Sequence, residues 1–190
     1  MIVGIDANVL SLIVFPGSSV PRDFRTGQPV DRAKERAQAI LDQAARRNDL
    51  VLVATPILAE VLIPVVEAAG AWVSEFQNSP HILLRGFGDR AAIELAIRSR
   101  LARDAGNKRD GATGPWAKVK YDRQLLAIAR VEGASCVYTT DEDVFKHAAA
   151  FGVEARHLAD VQPDPEQSSL FPDPNESKPR RAFDFADDGE

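Results

Sequence analysis

The sequence predicts an α/β fold, a mainly parallel sheet flanked by helices. Three observations predict it. Short apolar runs alternate with longer amphipathic ones, the strand-then-helix order that builds parallel sheets. The run Leu50–Ala54 is apolar without interruption, as expected of a strand covered on both faces. Hydrophobic residues make up 45% of the 190, enough for one domain with a sizeable core.

Taken in order, Ile2–Ile5 reads as the first strand and Ala7–Val14 as a short helix. Residues 15–31 are rich in Pro, Gly and Arg and read as a loop. Asp31 is expected to cap a helix over 32–48, with Ala33, Ala37, Ile40, Leu41 and Ala44 on one face. After the Leu50–Ala54 strand, Thr55 reads as an N-cap with Pro56 at the first helical position. A further helix is expected over 65–77 and a short strand at 82–84. Residues 89–103 form a long helix ending in a loop with Gly106, Gly111, Gly114 and Pro115. A helix over 122–132 is closed by Gly133. A strand at 135–139, a helix at 142–150 and a last strand at 153–157 complete the pattern, which contains no internal repeat.

The net charge of −5 is unevenly placed. Residues 1–161 carry 20 basic and 20 acidic residues and form the expected folded domain. Residues 162–190 carry 8 acids, 3 bases and 5 of the 12 prolines, the composition of a disordered tail. An acidic total argues against a nonspecific nucleic-acid coat but allows a local basic track. No apolar run approaches the roughly 20 residues that cross a bilayer, so no membrane partner is expected. The start has no basic segment leading into an apolar one, unlike a signal peptide. Cys136 is the single cysteine, which excludes an internal disulfide and a Cys-rich zinc site and fits a cytoplasmic setting.

In open parallel sheets, function gathers at the carboxyl ends of the strands. Asp6 ends the first strand, Glu60 lies just over one turn into the helix after Leu50–Ala54, and Asp141 follows the 135–139 strand. Asp122 opens the expected helix before that strand. Gathered carboxylates repel one another unless protons or a cation neutralise them. Carboxylate oxygens without a His or Cys set suit Mg²⁺ or Mn²⁺, ions that activate water and offset charge on a phosphoryl oxygen. Each acid also has a plainer reading, since Asp6, Asp122 and Asp141 all stand where helix caps stand. Pro64, four residues after Glu60, is expected to bend the helix there and either aims Glu60 or merely marks a bent surface helix.

The segment Ile-Val-Gly-Ile-Asp-Ala-Asn-Val-Leu at 2–10 resembles the opening of PIN domains. Thr-Pro-Ile-Leu-Ala-Glu-Val-Leu at 55–62 is similar to that family's glutamate-bearing helix. Tyr121 to Arg130, Gly133-Ala134, and Val137-Tyr138-Thr139-Thr140-Asp141-Glu142-Asp143-Val144-Phe145 resemble its third acid, its small-residue helix and its closing Thr-x-Asp segment. The resemblance spans residues 1–161. It implies a PIN-like three-layer sandwich and a Mg²⁺- or Mn²⁺-dependent nuclease, commonly an endoribonuclease. It further implies Asp6, Glu60, Asp122 and Asp141 as catalytic metal ligands and Asp143 as an added carboxylate. Asn8 and Thr140 would support the ligands or the attacking water. Many bacterial members are VapC-type toxins held by an antitoxin and are often homodimers. The loops at 15–31 and 104–117 and the tail depart from compact toxins.

Eight basic residues lie between 98 and 123, interrupted by three acids. Arg109, Lys118, Lys120 and Arg123 are candidate phosphate contacts and Trp116 a candidate base-stacking residue, against the plainer reading of a solvated helix face. Arg22 and Arg25 are weaker candidates. His81, His147 and His157 read as structural, and Cys136 as core. The tail peptide Gln167-Ser168-Ser169-Leu170-Phe171 resembles the motif that docks bacterial proteins on the DNA sliding clamp, with Gln167, Leu170 and Phe171 as anchors. The alternatives to a ribonuclease are a DNA-directed nuclease, or a non-catalytic PIN-like module, recruited through that peptide. A haloacid-dehalogenase-like phosphatase is disfavoured by Asn8, where that family places an acid.

Overall fold

The computed structural model describes residues 1–15, 17–106 and 115–163, the side chain of Trp116 excepted. Arg109 and the tail peptide with Gln167, Leu170 and Phe171 lie outside the described residues. Five strands form one sheet: β1 (Ile2–Ile5), β2 (Leu50–Ala54), β3 (Ile82–Arg85), β4 (Cys136–Thr139) and β5 (Glu154–His157). Their order is β3-β2-β1-β4-β5, and every neighbouring pair is parallel. The chain builds outward from β1 to β3, then returns to the other side of β1 for β4 and β5. That reversal puts a topological switch point between β1 and β4, the place where open α/β sheets leave a crevice at their carboxyl edge.

Burial follows the apolar runs. Val51, Leu52, Val53 and Ala54 are fully buried, as are Val137 and Cys136 on β4. Gly4 on β1 pairs with Leu52 on one side and Val137 on the other. A Cβ at Gly4 would meet Val137 Cγ2 at 2.9 Å, so glycine leaves the space that the Val137 side chain fills beside β1.

The helices are α1 (Ala7–Val14), α2 (Ala33–Arg47), α3 (Thr55–Leu62), α4 (Ala69–Asn78), α5 (Asp89–Asp104), α6 (Trp116–Val131) and α7 (Glu142–His147). Several boundaries differ from expectation. Asp31 does not cap α2: Arg32 precedes the helix in the left-handed region, φ 50°, with no side-chain cap bond. A cap needs extended backbone at that position to turn its side chain onto the first amides. Thr55 is already helical, with Ala54 preceding it, and Pro56 still falls in the first turn, where a missing N–H costs nothing. The helix expected at 65–77 starts at Ala69, after a 3₁₀ stretch Ile63–Ala68. Helix α6 begins six residues before Asp122, so Asp122 sits in its interior and does not open it. Pro115, with φ −55°, presets the chain for helix entry there. The last expected helix divides into α7 and a 3₁₀ turn Ala148–Phe151, closed by Gly152 at φ 68°.

The bend expected from Pro64 is present. Pro64 has no N–H to offer the carbonyl of Glu60, and Ile63 N takes that carbonyl instead. Val65 then leaves helical geometry at φ −134°, ψ 38°. One expectation about this region is corrected. The helical stretch Thr55–Asn78 covers 24 residues and reaches a mean hydropathy of 1.7 over 18 of them, with 22% of that window buried. It is long and apolar enough to match a bilayer, because its alanines, leucines and β-branched residues outweigh Glu60, Glu67 and Glu75. The break at Val65 divides it.

The loop after α1 is folded against the end of the sheet. Arg25 bonds Asp23 at 2.8 Å, Asp160 at 2.9 Å and His157 Nδ1 at 3.1 Å. Phe24 packs edge-on against Phe145 and His157. Arg25 is thus engaged in fixing the loop, a correction to its reading as a phosphate contact.

Candidate active site

Asp6 stands at the carboxyl end of β1 and caps α1, so its plainer reading is also true. Its Oδ1 accepts from Val9 N at 2.8 Å. Its Oδ2 accepts from the Thr139 hydroxyl and from Thr140 N at 3.1 Å. Asp6 is only 3% exposed. Burial pushes its carboxyl up to about 6, against the pull of bonds from Thr139, Val9 and Thr140, with the charge of Asp141 adding to the rise.

Asp141 does the same for α7. Its Oδ1 accepts from Asp143 N at 2.8 Å and Val144 N at 3.1 Å. Its Oδ2 is ion-paired with the ammonium of Lys118. Thr139 Oγ1 accepts from Asp141 N at 2.8 Å while donating to Asp6. Thr139 therefore joins the two acids across the switch point, a role that the sequence reading, which singles out Thr140, misses. The available signal is position: Thr139 is the last residue of its strand and is fully buried, where a hydroxyl must find partners.

Asp122 reaches the same place from α6. Its Oδ2 is buried and has no hydrogen-bond partner among the described residues. Its carboxyl is pushed up to about 7, first by burial and then by Asp141, with Lys118 opposing and Asp6 and Glu60 adding. Asp141, Asp6 and Glu60 thus all act on Asp122. They do not form a chelate as placed: among the described residues, no three His, Cys, Asp or Glu side chains lie close enough to hold a metal ion. The donors nevertheless suit a hard cation, being carboxylate oxygens with one buried oxygen unpartnered. Holding an ion requires side-chain movement, and exposed Glu60 and partly exposed Lys118 have room for it.

Asn8 Nδ2 donates to Thr140 Oγ1 at 3.0 Å and so braces the loop carrying the acids. Asp143 is buried in the first turn of α7, near enough to act on Lys118. Lys118 itself, expected on substrate, sits on Asp141. Burial lowers its ammonium, but the bond to Asp141 and the charges of Asp141, Asp122 and Asp143 outweigh that and leave it raised. Arg123, expected on nucleic acid, is buried at 7% exposure. Asp122 and Arg123 are adjacent on a helix, so their side chains point about 100° apart, and Arg123 falls on the face with buried Val119 and Leu126. Lys120 is exposed. His157 is fully buried, accepting from Ala159 N, and His147 bonds the Asp143 carbonyl, in keeping with structural roles. Cys136 is buried in the core.

An open cavity of about 590 Å³ lies alongside, lined by Asn8, Ser11, Phe15, Arg22, Pro64 and Thr140 among others. It shares Asn8 and Thr140 with the acidic centre, and the folded loop after α1 supplies one wall. Neither the sequence reading of that loop nor its composition indicates a cavity.

Fold and site together define an α/β sandwich of PIN-like architecture, with its carboxylates at the reversal of strand order. The solved structures it resembles include VapBC2 from Rickettsia felis bound to a promoter DNA fragment, at 13% identity and a TM-score of 0.55, covering 83% of this chain and 98% of that one. FitAB bound to the IR36 DNA fragment matches at 18% identity and a TM-score of 0.49, covering 85% and 98%. FitAcB from Neisseria gonorrhoeae matches at 20% identity and a TM-score of 0.48, covering 83% and 98%. By sequence, no protein-family model and no curated protein matches the chain.

Proposed function

We propose that this chain is a Mg²⁺- or Mn²⁺-dependent nuclease that hydrolyses phosphodiester bonds in RNA, working in the cytoplasm as the toxin of a toxin–antitoxin pair. The observation that carries the reading is the shared field of the acids. Burial first, and then the charges of Asp141, Asp6 and Glu60, push the Asp122 carboxyl up to about 7, with Lys118 opposing. A purely structural set of caps has no reason to leave a buried, unpartnered oxygen of Asp122 in the field of Asp141, Asp6 and Glu60.

In this reading Asp6, Glu60, Asp122 and Asp141 hold the cation, with Asp143 behind them. The bound ion would activate a water and offset charge on the phosphoryl oxygen. The protein's own contribution is order. Three donors fix Asp6, and Thr139 couples it to Asp141, so two ligands are oriented before substrate arrives. The neighbouring cavity falls in the ~300–1,000 Å³ range of small-molecule sites and offers a nucleotide both hydroxyls and the Phe15 ring.

Partner binding has a surface available. Ile93, Ile97 and Leu101 repeat every four residues along α5 and are exposed at 62%, 50% and 56%. Such a stripe suits an antitoxin or a second copy. VapBC2 of Rickettsia felis, similar to this chain in fold, is bound to a fragment of promoter DNA. That supports nucleic acid as a partner of an assembled pair.

The test is direct. Purified protein is incubated with single-stranded RNA and, separately, DNA in Mn²⁺, Mg²⁺ or EDTA. Metal-dependent RNA cleavage that Asp6→Asn abolishes is expected. Intact RNA in both metals overturns the proposal, and cleavage of DNA alone replaces the substrate.

A further inference from the structure

The ion pair between Lys118 and Asp141 has a consequence for metal binding. Lys118 stands four residues before Asp122 on α6, so both side chains leave the same helix face toward the acids. The two oxygens of Asp141 are differently engaged. Oδ1 is taken up by two backbone amides at the start of α7, which anchors the carboxylate. Oδ2 is held by the Lys118 ammonium. Asp122 and Asp143 also act on that ammonium. The lysine side chain is 41% exposed and ends a flexible four-carbon stem, so it can leave by rotating into solvent.

We propose that Lys118 is a built-in counter-cation of the acidic centre, which competes with a divalent metal ion for Asp141 and so sets the metal concentration at which the site fills. The inference rests on the metal-dependent reading above. The physical reason is charge. The ammonium offsets one unit of negative charge, and a divalent ion coordinating Asp141 Oδ2 must first displace it. Affinity for the ion is therefore lower than the carboxylates alone would give. The sequence conceals this device, because Lys118 reads as one more cation in a basic run.

The experiment is calorimetric titration of Mn²⁺ into wild type, Lys118→Met and Lys120→Met. Lys120→Met removes the same charge two residues away, on a different face of the helix, and controls for net charge. Lys118→Met is expected to bind Mn²⁺ on the order of tenfold more tightly, with Lys120→Met close to wild type. Melting in EDTA checks folding. The Lys118→Met protein should melt lower than wild type without metal and gain more from Mn²⁺. Should that variant not fold, Lys118→Gln, which keeps a polar partner for Asp141, replaces it. If Lys118→Met binds Mn²⁺ no more tightly than wild type, or if Lys120→Met tightens as much, the competition is overturned while the metal centre stands. If wild type binds no Mn²⁺, the metal reading itself fails and the competition with it.

Discussion

The hydroxyl of Thr139 donates to Oδ2 of Asp6, 133 residues earlier in the chain, and so ties the ends of β1 and β4 together beside the acidic centre. Thr139 Oγ1 in turn accepts from Asp141 N. One buried side chain thus holds two acids in register. It works because parallel neighbours β1 and β4 end at the same edge.

Replacing Thr139 by valine keeps the β-branched shape and removes the hydroxyl. Asp6 Oδ2 then loses a donor inside the protein. We expect a loss of about 1–3 kcal/mol in urea unfolding, the cost of an under-satisfied buried polar group. RNA cleavage should fall as well, since Asp6 is no longer fixed. Unchanged stability would show that the Thr139 bond contributes nothing.

Asp141 separates capping from chemistry. Asn and Asp are equivalent helix caps, so Asp141→Asn should keep α7 and melt near wild type. Asp141→Ala should lose about 1 kcal/mol from the lost cap. Both should lose at least roughly a hundredfold in cleavage, because both remove the charge. An active Asp141→Asn protein would make the residue a cap alone.

The raised carboxyls give a pH signature in EDTA. Asp122 in the folded protein stands at about 7 and Asp6 at about 6, against 3.8 ordinarily. Between those values the folded state binds more protons than the unfolded one, so stability falls as pH rises. The contribution is therefore greatest near pH 4, declines through about 6 and 7, and is flat above. Melting temperature in EDTA should follow that course, and Asp122→Asn should flatten its upper part. A melting temperature that rises from pH 4 to 7 in wild type, with Asp122→Asn unchanged, would contradict these shifts.

Much of the site is legible in local pattern. Asp6 and Asp141 follow apolar runs in the sequence, and strand ends are where an open sheet exposes its function. Asp122 is legible for a partly wrong reason: it reads as a helix start and lies within α6. What singles it out is its place in an ordered set of motifs. Lys118 and Arg123 both read as substrate contacts, because charge in a run looks alike whichever way the helix is turned. The rotation of α6 sends one onto Asp141 and buries the other.

The sequence by itself determined the parallel α/β architecture, the bend after Glu60 and the candidate acids. These follow from strand periodicity, from the missing N–H of Pro64 and from residue chemistry, all of them local. Only the tertiary structure decided the strand order, the Thr139 link, the ion pair of Lys118 and the cavity walled by the loop after α1. Each depends on residues far apart in the chain meeting across packed elements, and no periodicity along the chain records which ones meet.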